Sequence, residues 1–295
     1  MSRRGTWLRR LWQLSTGRFG VIVVIVVLTT ALVSIVWTPF DPRQVEISQR
    51  WAPPGWPHVL GTDGSGRDIL SLVMAGARTT VLVAVGAGVV ATAVGILLAS
   101  LGALTARWVR ESVAVLVDIL IAFPVLIIAM MISAVWGGSL WVVIWSVGIG
   151  FGVNIARVTR PELRRVLHSD FVLAGRAYGL TPSQNLWRHL LPNVAPVFIV
   201  QLSWGMAVAV LAEAGLSYLG FGAPVTEPSW GLLLDELQQF ITVHPLSVLW
   251  PGLAITLTVL GLNLLGDALR EATDPTLGRR ARSTPARTHV PEVVA

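Results

Sequence analysis

Residues 79–104 read TTVLVAVGAGVVATAVGILLASLGAL, twenty-six consecutive positions without a charge. As a helix at 1.5 Å per residue this run is about 39 Å long, more than the roughly 30 Å hydrocarbon core of a bilayer. A helix that is apolar on every side lies in a large protein core or in lipid. Composition decides between the two. The 295 residues are 54% hydrophobic and 13% charged, against roughly 25% charged in soluble domains. The mean hydropathy is +0.69. A soluble domain of this size lacks the charges to cover its surface, and disorder requires the opposite balance. Outward from 79–104, five more stretches qualify as spans: 19–37, 112–136, 139–156, 193–216 and 247–265. The fold class is an all-α membrane protein with six transmembrane helices.

The 22 basic residues are all arginine. Threaded through six spans, eighteen fall on the side of the termini and four, Arg43, Arg50, Arg67 and Arg78, on the other. The positive-inside rule then places both termini in the cytoplasm. It also assigns the net charge of +6 to a membrane surface and not to nucleic acid. Segment 1–18 is a cytoplasmic lead. Span 19–37 is a retained anchor, because its apolar run exceeds a signal-peptide core and no small-residue cleavage site follows. Segment 271–295 is a cytoplasmic tail, read as disordered from about residue 275.

Two outer loops have enough sequence to be structured. In 38–78, Gly61-Thr-Asp-Gly-Ser-Gly-Arg-Asp68 reads as a hydrogen-bonded turn. It has neither the lysine of a phosphate loop nor the ligand count of a calcium loop. In 217–245, Leu232, Leu233, Leu234 and Leu237 form one face of a short surface helix. The inner segment 157–192 is too long for a bare connection. Thr181-Pro-Ser-Gln184 starts a helix, with Pro182 in its first turn. Gly179 suits a left-handed helix stop, and Pro192 reads as the stop before span five. The segment is a helical hairpin, a natural docking element for a soluble partner; a basic inner loop also serves orientation and lipid contact.

Asp118 is the one formal charge well inside a span. It is expected to pair with a nearby arginine such as Arg107 or Arg110 near the cytoplasmic end, or to cap another helix, since a proton relay needs further acids or histidines at depth. Glu213 lies near the outer end of span five, where it touches substrate or only fixes that end, so Asp118 and Glu213 are the candidate pathway or helix-end polar residues. Pro124 kinks span three, and Gly86, Gly88, Gly95 and Gly102 suit close helix packing. No catalytic residue and no metal site emerge: cysteine is absent, and the five histidines have no metal spacing.

Leu173-Ala-Gly-Arg-Ala-Tyr-Gly179, nine residues, then His189-Leu-Leu-Pro192 resembles the EAA loop of binding-protein-dependent ABC importer permeases. That loop runs EAA, three residues, Gly, nine residues, Ile, one residue, Leu-Pro. Ala174, Gly179, Leu191 and Pro192 match in register; Leu173 replaces Glu, Gly175 the second Ala and His189 the Ile. The wording Ala-Gly-Arg-Ala-Tyr-Gly with Arg188-His-Leu-Leu-Pro-Asn193 is similar to the C-type subunit of the dipeptide/oligopeptide/nickel permeases. His58–Asp68, Glu213-Ala-Gly-Leu-Ser-Tyr-Leu-Gly-Phe-Gly222, and Asn263–Arg270 with Asp274-Pro275 resemble further stretches of that family, so the likeness spans residues 15–278.

The resemblance implies the type I ABC importer permease fold, with a core domain over 79–270 whose EAA-type loop, 157–192, is a coupling-helix hairpin. It implies a bacterial inner-membrane subunit that forms half of a translocation path with a homologous permease subunit as a heterodimer. Two ATPase subunits or domains would bind below and an extracytoplasmic substrate-binding protein above. The chain itself would bind no cofactor, and its partners would use ATP. Coupling would rest on Ala174, Gly175, Arg176, Gly179, Arg188, His189, Leu191 and Pro192. Arg176 and Arg188 would meet acidic groups of the ATPase or pair within the loop. The expected cargo is di- or oligopeptides, with nickel or another small solute as the alternative. An ion-coupled carrier predicts deep acids and inverted repeats, and an intramembrane enzyme a buried nucleophile or metal cluster; the sequence has none of these. A scaffold without transport remains the third rival.

Overall fold

The computed structural model describes residues 10–273; the leading nine residues and the tail from 274 lie outside that range, and with them the expected disorder of 275–295. The architecture is a helical bundle. In chain order its helices are α1 (Ser15–Val36), α2 (Ile69–Leu104), α3 (Arg107–Ala122), α4 (Val125–Trp136), α5 (Leu140–Leu167), α6 (Asp170–Ala177), α7 (Pro182–Asn185), α8 (Leu191–Tyr218), α9 (Trp230–Gln238) and α10 (Pro245–Thr273). Among the described residues there is no strand, only an isolated bridge between Thr62 and Asp68. Five helices are long and apolar enough to cross a membrane, and α3 with α4 supplies a sixth, broken span.

Lipid thickness does not set where these helices end. α2 begins at Ile69, about three turns before the uncharged run, so the loop expected over 69–78 is helix. The cause is local: Asp68 caps the helix, its Oδ2 accepting from Ser71 N at 2.8 Å and Ser71 Oγ at 2.7 Å. α5 likewise continues past residue 156 to Leu167, carrying Pro161 within it. The kink expected at Pro124 is a full break, since α3 and α4 meet at 77°. Pro124 is not inside a helix; it is the N-cap of α4, where a missing N–H leaves no bond unmade.

α2 packs most extensively on α5, at the centre of the bundle. Glycines set the distance. Gly148 and Gly152, four apart on α5, receive Val90 and Val94 of α2, so that a β-carbon at either glycine would stand 2.6 Å from a valine β-carbon. Gly86 and Gly95 of α2 admit Ile144 and Ile155 of α5 in return, while Gly88 faces Met206 of α8 and Gly102 faces Arg160. This is the small-residue packing by which helices associate in lipid, where burial of apolar surface gives no drive. Val83, Ala87, Val143, Val147, Ala209 and Leu216 close the core where α2, α5 and α8 meet.

At one end of the bundle lie the two long loops. Asp63 is buried and forms the expected turn: its Oδ1 accepts from Ser65 N at 2.8 Å and Arg67 N at 2.9 Å, with Gly61 and Gly66 at φ +79° and +80°. Arg67 then joins the loops, donating from Nε to Asp63 Oδ2 at 2.6 Å and from Nη2 to Glu236 on α9. Burial lowers the guanidinium pKa, but the two carboxylates outweigh it and hold Arg67 above its ordinary value. α9 is the short helix expected from the leucines. It buries Leu233 and Leu237 against Leu72, with Leu232 and Leu234 half-buried. The Trp230 indole donates to Val73 O at 2.8 Å, tying α9 to the start of α2.

Candidate functional site: the hairpin between the fourth and fifth spans

The opposite end of the bundle carries the hairpin. α6 ends in a Schellman stop: Gly179 is left-handed at φ +82°, and Leu180 N reaches back to Gly175 O at 3.0 Å. Thr181 then caps α7 in a complete capping box with Gln184, and Pro182 sits in its first turn. Both local expectations hold.

The end of the hairpin does not. Pro192 is no stop. From Pro182 to Tyr218 the chain runs as one 37-residue helix. A π-turn over Leu186–Leu190 shifts the hydrogen-bond register ahead of the proline. Asn193 Nδ2 donates to His189 O at 2.6 Å, supplying that carbonyl with a side-chain partner. The second arm of the hairpin and the fifth span are therefore the same helix.

One side of the hairpin is sunk into the bundle. Val172 and Leu190 are fully buried, packing with Leu163, Val166 and Val194 beneath the ends of α2 and α5. The two arms close on each other at Gly175. A β-carbon there would stand 3.0 Å from Asn185 Oδ1 and 3.1 Å from Leu180 Cδ1, which explains glycine in place of the second alanine of the EAA pattern. Asn185 is 1% exposed, and neither its Oδ1 nor its Nδ2 has a hydrogen-bond partner among the described residues. The His189 ring lies half-buried, tilted toward Phe171 at 6.1 Å between ring centres.

Other apolar side chains of the hairpin are exposed: Trp187 lines a groove with Thr92, Ile96 and Phe198, and Phe171 lies beside His189. Phe171, Leu173, Tyr178 and Trp187 are all exposed, Tyr178 to 90%. Sequence reading singled out none of the three aromatics, whose spacing matches no single helical period. Ala174 and Arg188 are exposed too, Arg188 without an ion-pair partner among the described residues. Pro192 is also exposed and Leu191 half-buried. The side chain of Arg176 lies outside the described part of the structure. An anchored hairpin with several exposed aromatic side chains fits a protein partner better than water, since exposed apolar surface marks interaction sites.

Asp118 and Glu213 do not join the hairpin. Asp118 is exposed on α3, on a different side from the buried Val113 and Val117. The expected pairing is not made: Arg107 binds Glu111 at 2.7 Å, and Arg110 lies eight residues from Asp118, about 12 Å along the helix. Glu213 is 1% exposed near the long-loop end of α8. Its Oε1 accepts from Ser217 Oγ at 2.8 Å, and that hydroxyl accepts from Ala223 N at 2.9 Å, fixing the turn that leaves α8. Glu213 Oε2 is buried without a hydrogen-bond partner among the described residues. No group of three or more metal-ligating side chains occurs among them either.

This fold is that of an ABC importer permease. A chain from the MetNI methionine ABC transporter, crystallised in inward-facing conformations, superposes with a TM-score of 0.56 at 18% identity, covering 70% of this chain and 98% of that one. Residues 91–279 match the family described as binding-protein-dependent transport system inner membrane component, and the chain belongs to that family. Among its relatives, a Brucella suis protein provisionally named a peptide permease is 34% identical over 90% of this chain and 89% of its own. The dipeptide transport system permease protein DppC of Alkalihalophilus pseudofirmus is 32% identical over 91% and 90%. The protein is thus a multi-pass membrane permease component.

Proposed function

We propose that this chain is one permease subunit of an ATP-driven peptide importer and that it hydrolyses no ATP itself. It pairs with a homologous permease subunit to line the path. Each of two ATPase modules engages a hairpin, and a substrate-binding protein docks at the long-loop end. The observation that carries this reading is the hairpin: anchored by the buried Val172 and Leu190, with Phe171, Tyr178 and Trp187 left exposed. The names of the relatives support peptides as cargo. The arginine asymmetry supports cytoplasmic termini and a cytoplasmic hairpin.

In this reading Phe171, Tyr178 and Trp187 fill a groove of the ATPase, with Arg188 and Arg176 beside acidic groups. Gly175, Gly179 and His189 hold the two arms in register. Ala174, Leu191 and Pro192 belong to the same docking and anchoring surface. No cofactor is required of this chain.

The test is purification from native membranes in mild detergent, with partners identified by mass spectrometry. Recovery of two ATPase modules and a second permease, with hydrolysis stimulated by a peptide-loaded binding protein, is expected. Tyr178→Ala with Trp187→Ala should lower ATPase recovery at least tenfold, since each buried aromatic anchor contributes about 2 kcal/mol or more. A lone chain that moves solute without ATP would overturn the proposal.

A further inference from the structure

A groove of about 1140 Å³ lies between α1, α2 and α5 at the long-loop end. Its walls are apolar: Leu28 and Leu32 of α1, Leu82 and Val85 of α2, Ile144 and Trp145 of α5. Leu32, Leu82, Val85 and Trp145 are exposed, so the groove opens sideways from the bundle. Its rim is charged, with Arg43 and Arg78 beside Asp41 and Glu227.

Depth fixes what the rim meets. Arg78 is the last charge before the uncharged run 79–104, which places it at the boundary between headgroups and hydrocarbon. Its Nε donates to Ser34 Oγ at 2.9 Å, and that hydroxyl donates to Ala31 O at 2.9 Å. The stem is thus pinned to α1. The two terminal amino groups of Arg78 make no hydrogen bond, and Arg78 makes no ion pair, among the described residues. Arg43 makes no ion pair among them either. Asp41 spends one oxygen on Arg43 N at 2.9 Å, and neither Asp41 nor Glu227 pairs with an arginine side chain there. Two cations and two anions therefore share one rim without neutralising each other.

We propose that this groove is a binding site for a zwitterionic phospholipid of the ethanolamine class. The phosphate lies on Arg78 and Arg43, where guanidinium forks match its oxygens. The ammonium group lies toward Asp41 and Glu227. The acyl chains follow the walls between α1, α2 and α5. A purely anionic headgroup would leave the two carboxylates unopposed. A free peptide has the same two charges, but its backbone amides would find no partners on such walls. With the long loops outside, as proposed above, the lipid belongs to the outer leaflet.

The test uses the assembled complex, exchanged into nanodiscs holding equal amounts of phosphatidylethanolamine, phosphatidylglycerol and phosphatidylcholine, with retained lipid counted by native mass spectrometry. The expected result is selective retention of phosphatidylethanolamine. Arg43→Gln with Arg78→Gln should lower it by roughly tenfold, the loss of one charge-assisted pair or more. Leu32→Trp, which fills the groove and changes no charge, should do the same, and both variants should assemble normally by gel filtration. Unchanged retention in both variants, preference for phosphatidylglycerol, displacement of the lipid by a dipeptide, or a cross-link from Leu32→Cys to the second permease subunit without lipid would each overturn it. The lipid count needs no transport, so it stands or falls separately from the peptide reading.

Discussion

Gly179 isolates a conformational energy from every other effect of substitution. It is left-handed at φ +82°, and a β-carbon added there meets nothing within 4 Å. Replacing it therefore introduces no clash and removes no contact; only the backbone preference changes. A residue with a β-carbon held left-handed costs roughly 1–2 kcal/mol. The penalty is smallest for asparagine, whose short amide tolerates this region, and largest for a β-branched side chain. The order expected is Gly, then Asn, then Ala, then Val. The reporter is the amide of Leu180, whose hydrogen bond to Gly175 O at 3.0 Å exists only while the stop is formed. If that bond opens locally, Gly179→Ala should speed its hydrogen exchange about 5- to 30-fold. Gly179→Asn should speed it less, and Gly179→Val more. Exchange at Val172, buried in the bundle, should stay unchanged. Equal rates across the series, or asparagine exchanging as fast as valine, would refute the assignment of this energy to φ alone.

Gly152→Ala should lower the thermal stability of the purified protein by roughly 1–2 kcal/mol, because overpacking outweighs the helix propensity that alanine gains; its β-carbon would sit 2.6 Å from Val94 Cβ. A higher melting temperature would show that α2 and α5 have room to separate. Arg67→Met should cost about 1.5–3 kcal/mol by stripping the buried Asp63 of its charged partner. Glu236→Gln, at the half-exposed end of the same node, should cost under about 1 kcal/mol. Denaturant titration of both variants checks that order. Asp118→Ala should leave stability within about 0.5 kcal/mol, since the side chain is exposed and unpaired among the described residues; a large loss in a melting assay would mean that this face is covered in the isolated chain.

Hydropathy located every span, because lipid imposes a length of apolar residues that chance does not produce. It failed at the ends, where helices leave the lipid. Residues 69–78 end in Arg78 and so read as loop, and 157–167, with Arg157, Arg160, Pro161, Arg164 and Arg165, read as part of a separate hairpin although they continue the fourth span. A helix in water tolerates all of these charges, and the signal for the first extension was Asp68 three residues before Ser71. Prolines misled in both directions. Pro124 breaks the span that it was expected to kink, whereas Pro192, expected to stop the hairpin, lies inside a helix. The outcome at each depends on how neighbouring carbonyls are satisfied, as Asn193 satisfies that of His189. In the hairpin, Gly179 and the Thr181 cap were legible because their chemistry is local. The exposed aromatic side chains were not, because burial of Val172 and Leu190 by other helices decides which way Phe171 and Trp187 point.

The uninterrupted helix from Pro182 to Tyr218 makes the fifth span a rocker arm. At 1.5 Å per residue it is about 55 Å long. Phe151 of α5 bears on it at Gly205, where an added β-carbon would stand 2.6 Å from the ring. That bearing stands about 34 Å from Pro182 and about 20 Å from Tyr218. A sideways push of about 5 Å at the hairpin, with the arm pivoting at that bearing, would return about 3 Å in the opposite sense at Tyr218 and under about 2 Å at Glu213. In the importer proposed above, such an arm would gear a large cytoplasmic stroke down to a smaller, more forceful one across the membrane.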